Sequence, residues 1–125
     1  MISSACIAQD SEGYIWIGTE YGLNRYDGYR FTCYLNDPEN PASLGYNLVS
    51  TLLCEDTGSI WVGTAKGLDL YNSDTNTFVH FKFPDGLQPR VSKILRLASG
   101  RLLVGTAGYG LYQADEDKQE LLRVQ

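Results

Sequence analysis

The strongest constraint on the fold of this chain is an internal repeat. Three segments share an apolar run that ends in a Gly-Thr pair: YIWIGTEYG at Tyr14–Gly22, SIWVGTAKG at Ser59–Gly67 and RLLVGTAGYG at Arg101–Gly110. The Gly-Thr pairs are spaced by 45 and 42 residues, and another glycine stands five residues before each pair. Landmarks that recur together at a near-fixed period indicate one supersecondary unit used three times.

Each repeat divides into four short strand-like runs separated by turns rich in Asp, Ser, Thr and Gly. In the first repeat the runs are Ser4–Gln9, Tyr14–Thr19, Leu23–Tyr26 and Tyr29–Leu35. The corresponding runs are Leu48–Cys54, Ile60–Thr64, Leu68–Tyr71 and Thr77–Phe83 in the second repeat, and Val91–Leu97, Leu102–Thr106, Leu111–Gln113 and Glu120–Val124 in the third. No segment keeps a 3.6-residue apolar period, so no substantial helix is expected.

Four strands in each period of about 40–45 residues are typical of a β-propeller blade. The sequence therefore predicts an all-β fold of about three four-stranded antiparallel blades, at residues 1–46, 47–89 and 90–125. Propellers typically close with about four to eight blades. We therefore expect a fragment of a larger propeller, which self-associates through its blade edges or pairs with further blades.

Composition excludes several classes of function. The net charge of −5 argues against nucleic acid as a partner, because a nucleic-acid surface needs a basic stripe. No apolar stretch reaches the roughly 20 residues of a membrane span, and the first residues lack the features of a signal peptide. Any contact with a membrane is expected only through parts of a longer parent chain.

The residues that could carry chemistry are better explained structurally. The three cysteines, Cys6, Cys33 and Cys54, lack metal-site spacing and are interpreted as free, small buried hydrophobes. We expect the turn acids Asp10, Glu12, Glu55 and Asp56 to bond their own turns. Trp16 and Trp61 are expected to pack between blades, and His80 to be packed or solvent-facing. No catalytic motif is present, so neither an enzyme nor a cofactor or metal is predicted.

A binding face is predicted from chain geometry. In an up-and-down blade, the turn after the second strand and the loop to the next blade lie at the same end. This end carries the candidate ligand-binding residues Tyr21, Lys66 and Tyr109 in the turns and Tyr46, Asn47 and Arg90 in the loops. Tyr21, Lys66 and Tyr109 differ in type on a repeated frame, as expected of a recognition surface. The alternative is that these are ordinary solvated loops.

The runs at Gln9–Leu44 and Glu55–Phe81 resemble two-component regulator propeller repeats. The shared pattern is an acidic turn with Gly, then Trp-Ile-Gly-Thr or its Val variant, a Gly-Leu and an aromatic-rich last strand. The third repeat, at Leu97–Val124, matches more loosely because it lacks the tryptophan and the acidic turn residue.

This resemblance implies the extracytoplasmic sensor region of a hybrid two-component histidine kinase of the Bacteroidetes. It implies a periplasmic location, recognition of an oligo- or polysaccharide, and signalling through membrane, kinase and response-regulator parts that these residues do not contain. The alternative is a structural or protein-interaction propeller without a small-molecule ligand. A propeller enzyme is disfavoured, because its catalytic centre would have to come from other blades.

Overall fold

Three four-stranded antiparallel sheets, one for each repeat, make up residues 5–125, the part of the chain that the computed structural model describes. The first sheet contains β1 (Cys6–Gln9), β2 (Ile15–Thr19), β3 (Gly22–Tyr26) and β4 (Phe31–Tyr34). The second contains β5 (Val49–Cys54), β6 (Ile60–Thr64), β7 (Gly67–Asn72) and β8 (Thr77–Phe81). The third contains β9 (Val91–Arg96), β10 (Leu102–Thr106), β11 (Leu111–Asp115) and β12 (Glu120–Arg123).

The predicted all-β propeller architecture is confirmed. Every sheet pairs its strands in chain order, and a single 3-10 turn at Pro84–Gly86 is the helical element among residues 5–125. Each of the three ranges predicted as blades contains one sheet, and their assignment as domains stays a prediction. Ser4, the first residue of the first predicted strand, lies outside the described residues.

The sheets stack face to face, with β1, β5 and β9 side by side. One face of each sheet contacts the opposite face of the next sheet. Trp16 lies on the face of the first sheet that contacts the second, and Trp61 lies on the face of the second sheet that contacts the third. Both tryptophans are fully buried, as predicted, in the cores between successive sheets. Trp16 packs on Tyr34 and Tyr71, and Trp61 packs edge-on against Phe81.

In the first two sheets, the glycine of the Gly-Thr pair allows the inner strands to stack closely. Val91 Cγ1 lies 2.7 Å from where a Cβ on Gly63 would be, and Val49 fills the same place above Gly18. At Gly105, in the third sheet, the nearest atom to such a Cβ is 3.6 Å away and belongs to Ser92 of the same sheet. The third sheet therefore repeats the glycine but has no following valine against it.

The two outermost faces of the stack are apolar and uncovered by other described residues. On the third sheet, Leu95, Leu103, Gln113 and Leu122 are directly opposite one another across the four strands. Leu95 and Leu122 are 49% and 57% exposed. The first sheet exposes Ile7 and Cys33 on its outer face. The expectation that every cysteine is buried is therefore wrong for Cys33, because no sheet covers the face on which it lies.

Candidate functional site

The threonine of each Gly-Thr pair builds the turn that presents a predicted site residue. In the first sheet, the Thr19 hydroxyl accepts a hydrogen bond from the backbone N–H of Tyr21 at 3.0 Å and donates to the carbonyl of Gly22 at 3.2 Å. Thr64 makes the same two bonds, at 3.1 and 3.3 Å, around Lys66. A side chain that closes its own turn fixes the position of the residue inside the turn.

The third sheet has the same turn with one more residue. The Thr106 hydroxyl donates to the carbonyl of Gly110 at 2.7 Å, and Tyr109 lies within the enlarged turn. Tyr21, Lys66 and Tyr109 are all exposed. The repeated Gly-Thr pair and the glycine that follows it therefore frame an exposed side chain in each sheet, a tyrosine in the first and third sheets and a lysine in the second.

The structure brings four of the six predicted residues into one neighbourhood. The Lys66 ammonium lies 4.7 Å from the centre of the Tyr46 ring, a cation–π contact. The Asn47 carbonyl accepts the N–H of Gly22, next to Tyr21, at 2.6 Å. Tyr46, Asn47, Lys66 and the turn of Tyr21 thus line the junction between the first two sheets.

The other two residues form a separate group. The carbonyl of Arg90 accepts the N–H of Ala107 at 2.9 Å, which attaches the loop before the third sheet to the turn of Tyr109. Within residues 5–125, no hydrogen bond, ion pair or ring contact joins Arg90 or Tyr109 to Lys66, Tyr46, Asn47 or Tyr21. A ligand reaching all six residues would therefore have to extend across two junctions.

A cleft of about 570 Å³ opens beside Lys66, at the same end of the second sheet. Its walls are the loop between the first and second sheets, the turn between β6 and β7, and the segment that follows β8. Among the six predicted residues, Lys66 alone lines it. Its other lining residues include Asn36, Asp37, Asn40, Pro41, Ser43, Leu68, Asp69, His80, Phe81, Lys82, Phe83, Leu87 and Gln88.

The loop that forms one wall is held by its own polar residues. Asn36 donates its side-chain amide to the carbonyl of Leu44 at 2.9 Å, and its backbone N–H bonds the Asn47 side chain at 2.7 Å. The Ser43 hydroxyl accepts the N–H of Asp37 at 2.8 Å and donates to the carbonyl of Asn40, also at 2.8 Å. Hydrogen bonds within the protein therefore hold this wall in place.

His80 and Asp69 fasten this loop to the second sheet. They are directly opposite each other on β8 and β7, and Nδ1 of His80 lies 2.6 Å from Oδ1 of Asp69. Nε2 of His80 lies 2.8 Å from the carbonyl of Pro41, and the other carboxylate oxygen of Asp69 accepts the N–H of Gly45 at 2.7 Å. The pair therefore bonds the loop at two points.

The protonation of His80 follows from these partners. Both ring nitrogens face oxygen acceptors, and the doubly protonated ring donates to both. The hydrogen bond to Asp69 raises the pKa of His80 above its ordinary value, against the lowering effect of partial burial. The imidazolium also compensates the charge of Asp69, which is 3% exposed. The expectation of a packed or solvent-facing His80 missed this structural ion pair.

The expectation that the four turn acids bond their own turns holds for Asp10 alone. Within residues 5–125 the side chains of Glu12 and Asp56, both exposed, accept no hydrogen bond, so the expectation is wrong for them. Asp10 bonds its own turn as predicted, accepting the N–H groups of Glu12 and Tyr14 at 3.0 and 2.9 Å. Glu55 instead accepts both Nε and Nη2 of Arg96, on the third sheet, at 2.8 Å. The turn-bonding expectation is therefore wrong for Glu55, because its longer side chain reaches across the sheet junction. These bonds from Arg96 hold the pKa of Glu55 below its ordinary value.

The comparisons with known proteins agree with this geometry. The family described as two component regulator propeller matches residues 1–21. The extracellular domain of a hybrid two-component system from B. thetaiotaomicron superposes with a TM-score of 0.82 at 27% identity, over 96% of this chain and 18% of that domain. The first 21 residues thus resemble two-component regulator propellers, and the chain has the fold of part of the extracellular domain of a hybrid two-component system. This propeller chain resembles the extracellular sensor domains of hybrid two-component systems.

One relative of known sequence is described as a histidine kinase. "Histidine kinase P4" of Formosa agariphila is 47% identical over 38 residues, which are 30% of this propeller chain and 3% of that protein. The chain thus spans a small part of each of these two proteins, 18% of the first and 3% of the second. Within residues 5–125, no helix has the length and apolar character needed to cross a membrane.

Proposed function

We propose that this chain is part of the ligand-sensing propeller of a hybrid two-component histidine kinase, located in the periplasm and recognising an oligo- or polysaccharide. The observation that carries the proposal is the 0.82 TM-score to the extracellular domain of a hybrid two-component system. In this function the chain binds and does not catalyse. Occupancy would be passed on, through the packing of neighbouring blades, to signalling parts outside these residues.

The loop end of the sheets suits a saccharide. Tyr21, Tyr46 and Tyr109 expose aromatic rings there, on which the apolar faces of sugar rings can stack. Asn and Gln side chains around the cleft supply donors and acceptors for hydroxyl groups. Because the wall formed by the first inter-sheet loop is already ordered, binding would not have to order it.

Isothermal titration calorimetry of the chain against a broad panel of neutral and charged oligosaccharides tests this function. We expect heat with one class of glycan, and weaker binding after Tyr46→Ala or Lys66→Gln. Tyr29→Ala is the matched control, because Tyr29 is an exposed tyrosine in a different turn. Silence across the whole panel would contradict saccharide sensing and favour the alternative, a structural or protein-interaction propeller.

A further inference from the structure

We infer that the cleft beside Lys66 selects an acidic sugar, one that carries a carboxylate or a sulfate group. The inference rests on the proposed saccharide function and adds the chemical class of the ligand. It depends on the charges around the cleft, on its apolar floor and on its rigid wall.

Charge at the cleft differs from that of the chain. The net charge of the chain is −5, yet Lys66 and Lys82 both line this cleft. Within residues 5–125, the ion pairs are His80–Asp69, Arg96–Glu55 and Arg96–Glu116, so neither lysine is neutralised by one. When His80 is protonated it compensates Asp69, which leaves Asp37 as the acidic group among the lining residues to set against two ammonium groups.

The contact that positions the Lys66 ammonium does not use its N–H groups. The ammonium lies over the Tyr46 ring, and this contact with a π face leaves the N–H groups able to bind an anion. The backbone of Lys82 is fixed as well, because its N–H and carbonyl bond Gln119 and Leu121 of the third sheet at 3.1 and 2.8 Å. Two lysines on different segments, both with a fixed backbone, thus line the same cleft.

The rest of the cleft suits a sugar more than a small inorganic anion. The apolar floor consists of Leu68, Phe81 and Phe83, which are almost fully buried, and of Leu87, which is half-buried and adds accessible apolar surface. A volume of about 570 Å³ lies in the range of small-molecule sites, about 300–1,000 Å³. An apolar floor with cations at its edge suits a ring that has one apolar face and one acidic substituent.

Calorimetric titration with matched sugars tests the inference. The probes are trigalacturonate with galactotriose as its neutral counterpart, and galactose 6-sulfate with galactose. The variants are Lys66→Gln and Lys82→Gln, with Lys93→Gln as the control because Lys93 is exposed on β9 and does not line the cleft. We expect an acidic probe to bind, each cleft variant to weaken it by about three- to tenfold, and added salt to weaken it further.

The outcomes separate the two proposals. Preference for trigalacturonate over galactotriose would indicate a carboxylate ligand. Preference for galactose 6-sulfate over galactose would indicate a sulfated one. Equal binding of the acidic and neutral partners would overturn the charge selection and leave saccharide sensing intact. Acidic binding that falls no more in the cleft variants than in Lys93→Gln would place the site elsewhere. If none of the four sugars binds, the inference fails, whereas the wider glycan panel decides the proposed function.

Discussion

Trp61 donates its indole N–H to Glu55, six residues earlier, at 2.7 Å, and the same carboxylate binds Arg96 of the third sheet. Trp16 and Asp10 repeat the first of these bonds at 2.8 Å with the same separation. The carboxylate thus orients a fully buried ring and, in the second sheet, also bonds to the neighbouring sheet. The third repeat has Leu103 in place of the tryptophan and Leu97 in place of the acid, so both partners are absent together.

Glu55→Gln should lower the free energy of unfolding by about 1–3 kcal/mol, because it removes the carboxylate that pairs with Arg96 and turns an amide N–H₂ towards it. Glu116→Gln is the control on the same arginine. Glu116 is 47% exposed, and its loss should cost less than about 1 kcal/mol. Urea unfolding monitored by tryptophan fluorescence measures both. Equal losses of unfolding free energy in the two variants would show that the Glu55–Arg96 pair stabilises the chain no more than the exposed Glu116–Arg96 pair.

Gly63→Ala should destabilise the chain by about 1–3 kcal/mol, because the new methyl group would lie 2.6 Å from Thr51 Cγ2 and 2.7 Å from Val91 Cγ1. Gly105→Ala is the matched control, since its methyl group meets nothing closer than 3.6 Å. Thermal unfolding should separate the two variants clearly. Both variants are compared at a protein concentration at which the chain does not associate. A Gly105→Ala chain as unstable as Gly63→Ala would then contradict the assignment of the loss to the contacts with Thr51 and Val91.

The stability of the chain should decrease as the pH rises from 5.5 to 8. The folded state raises the pKa of His80, so its contribution is fully present below the unfolded value near 6.5 and is lost as the pH passes the folded pKa. His80→Gln should be less stable than the parent and should flatten this dependence. Urea midpoints at several pH values provide the measurement. Because His80 is the single histidine, an unchanged slope in the variant would assign the effect to another group.

The chain should associate in solution through its uncovered end faces. The row formed by Leu95, Leu103, Gln113 and Leu122 offers apolar surface of the kind that the other sheets bury. Light scattering should give a mass above that of one chain, and Leu95→Glu with Leu122→Glu should lower it. Tyr29→Ser, which removes a 96% exposed aromatic ring elsewhere, should leave the mass unchanged. A monomeric parent chain would contradict this prediction.

The sequence alone determined the sheets, the burial of the tryptophans and the turns. These features depend on residues close together in the chain: alternation within a strand, a glycine in the turn before the second strand, and a Gly-Thr pair at the end of that strand. It also identified which residues the turns present, and whether Tyr21, Lys66 and Tyr109 bind a ligand stays a prediction. Local order of this kind is repeated three times, so chance agreement is small.

Only the tertiary structure decided how the candidate site is assembled. Asp69 reads as one acid within an apolar strand, and its position opposite His80 follows from the register of β7 and β8. The contact of His80 with Pro41, 39 residues earlier, and the reach of Glu55 to Arg96, 41 residues later, join different repeats. Such contacts depend on how the sheets stack and where a long loop folds back, and strand periodicity carries no information about either.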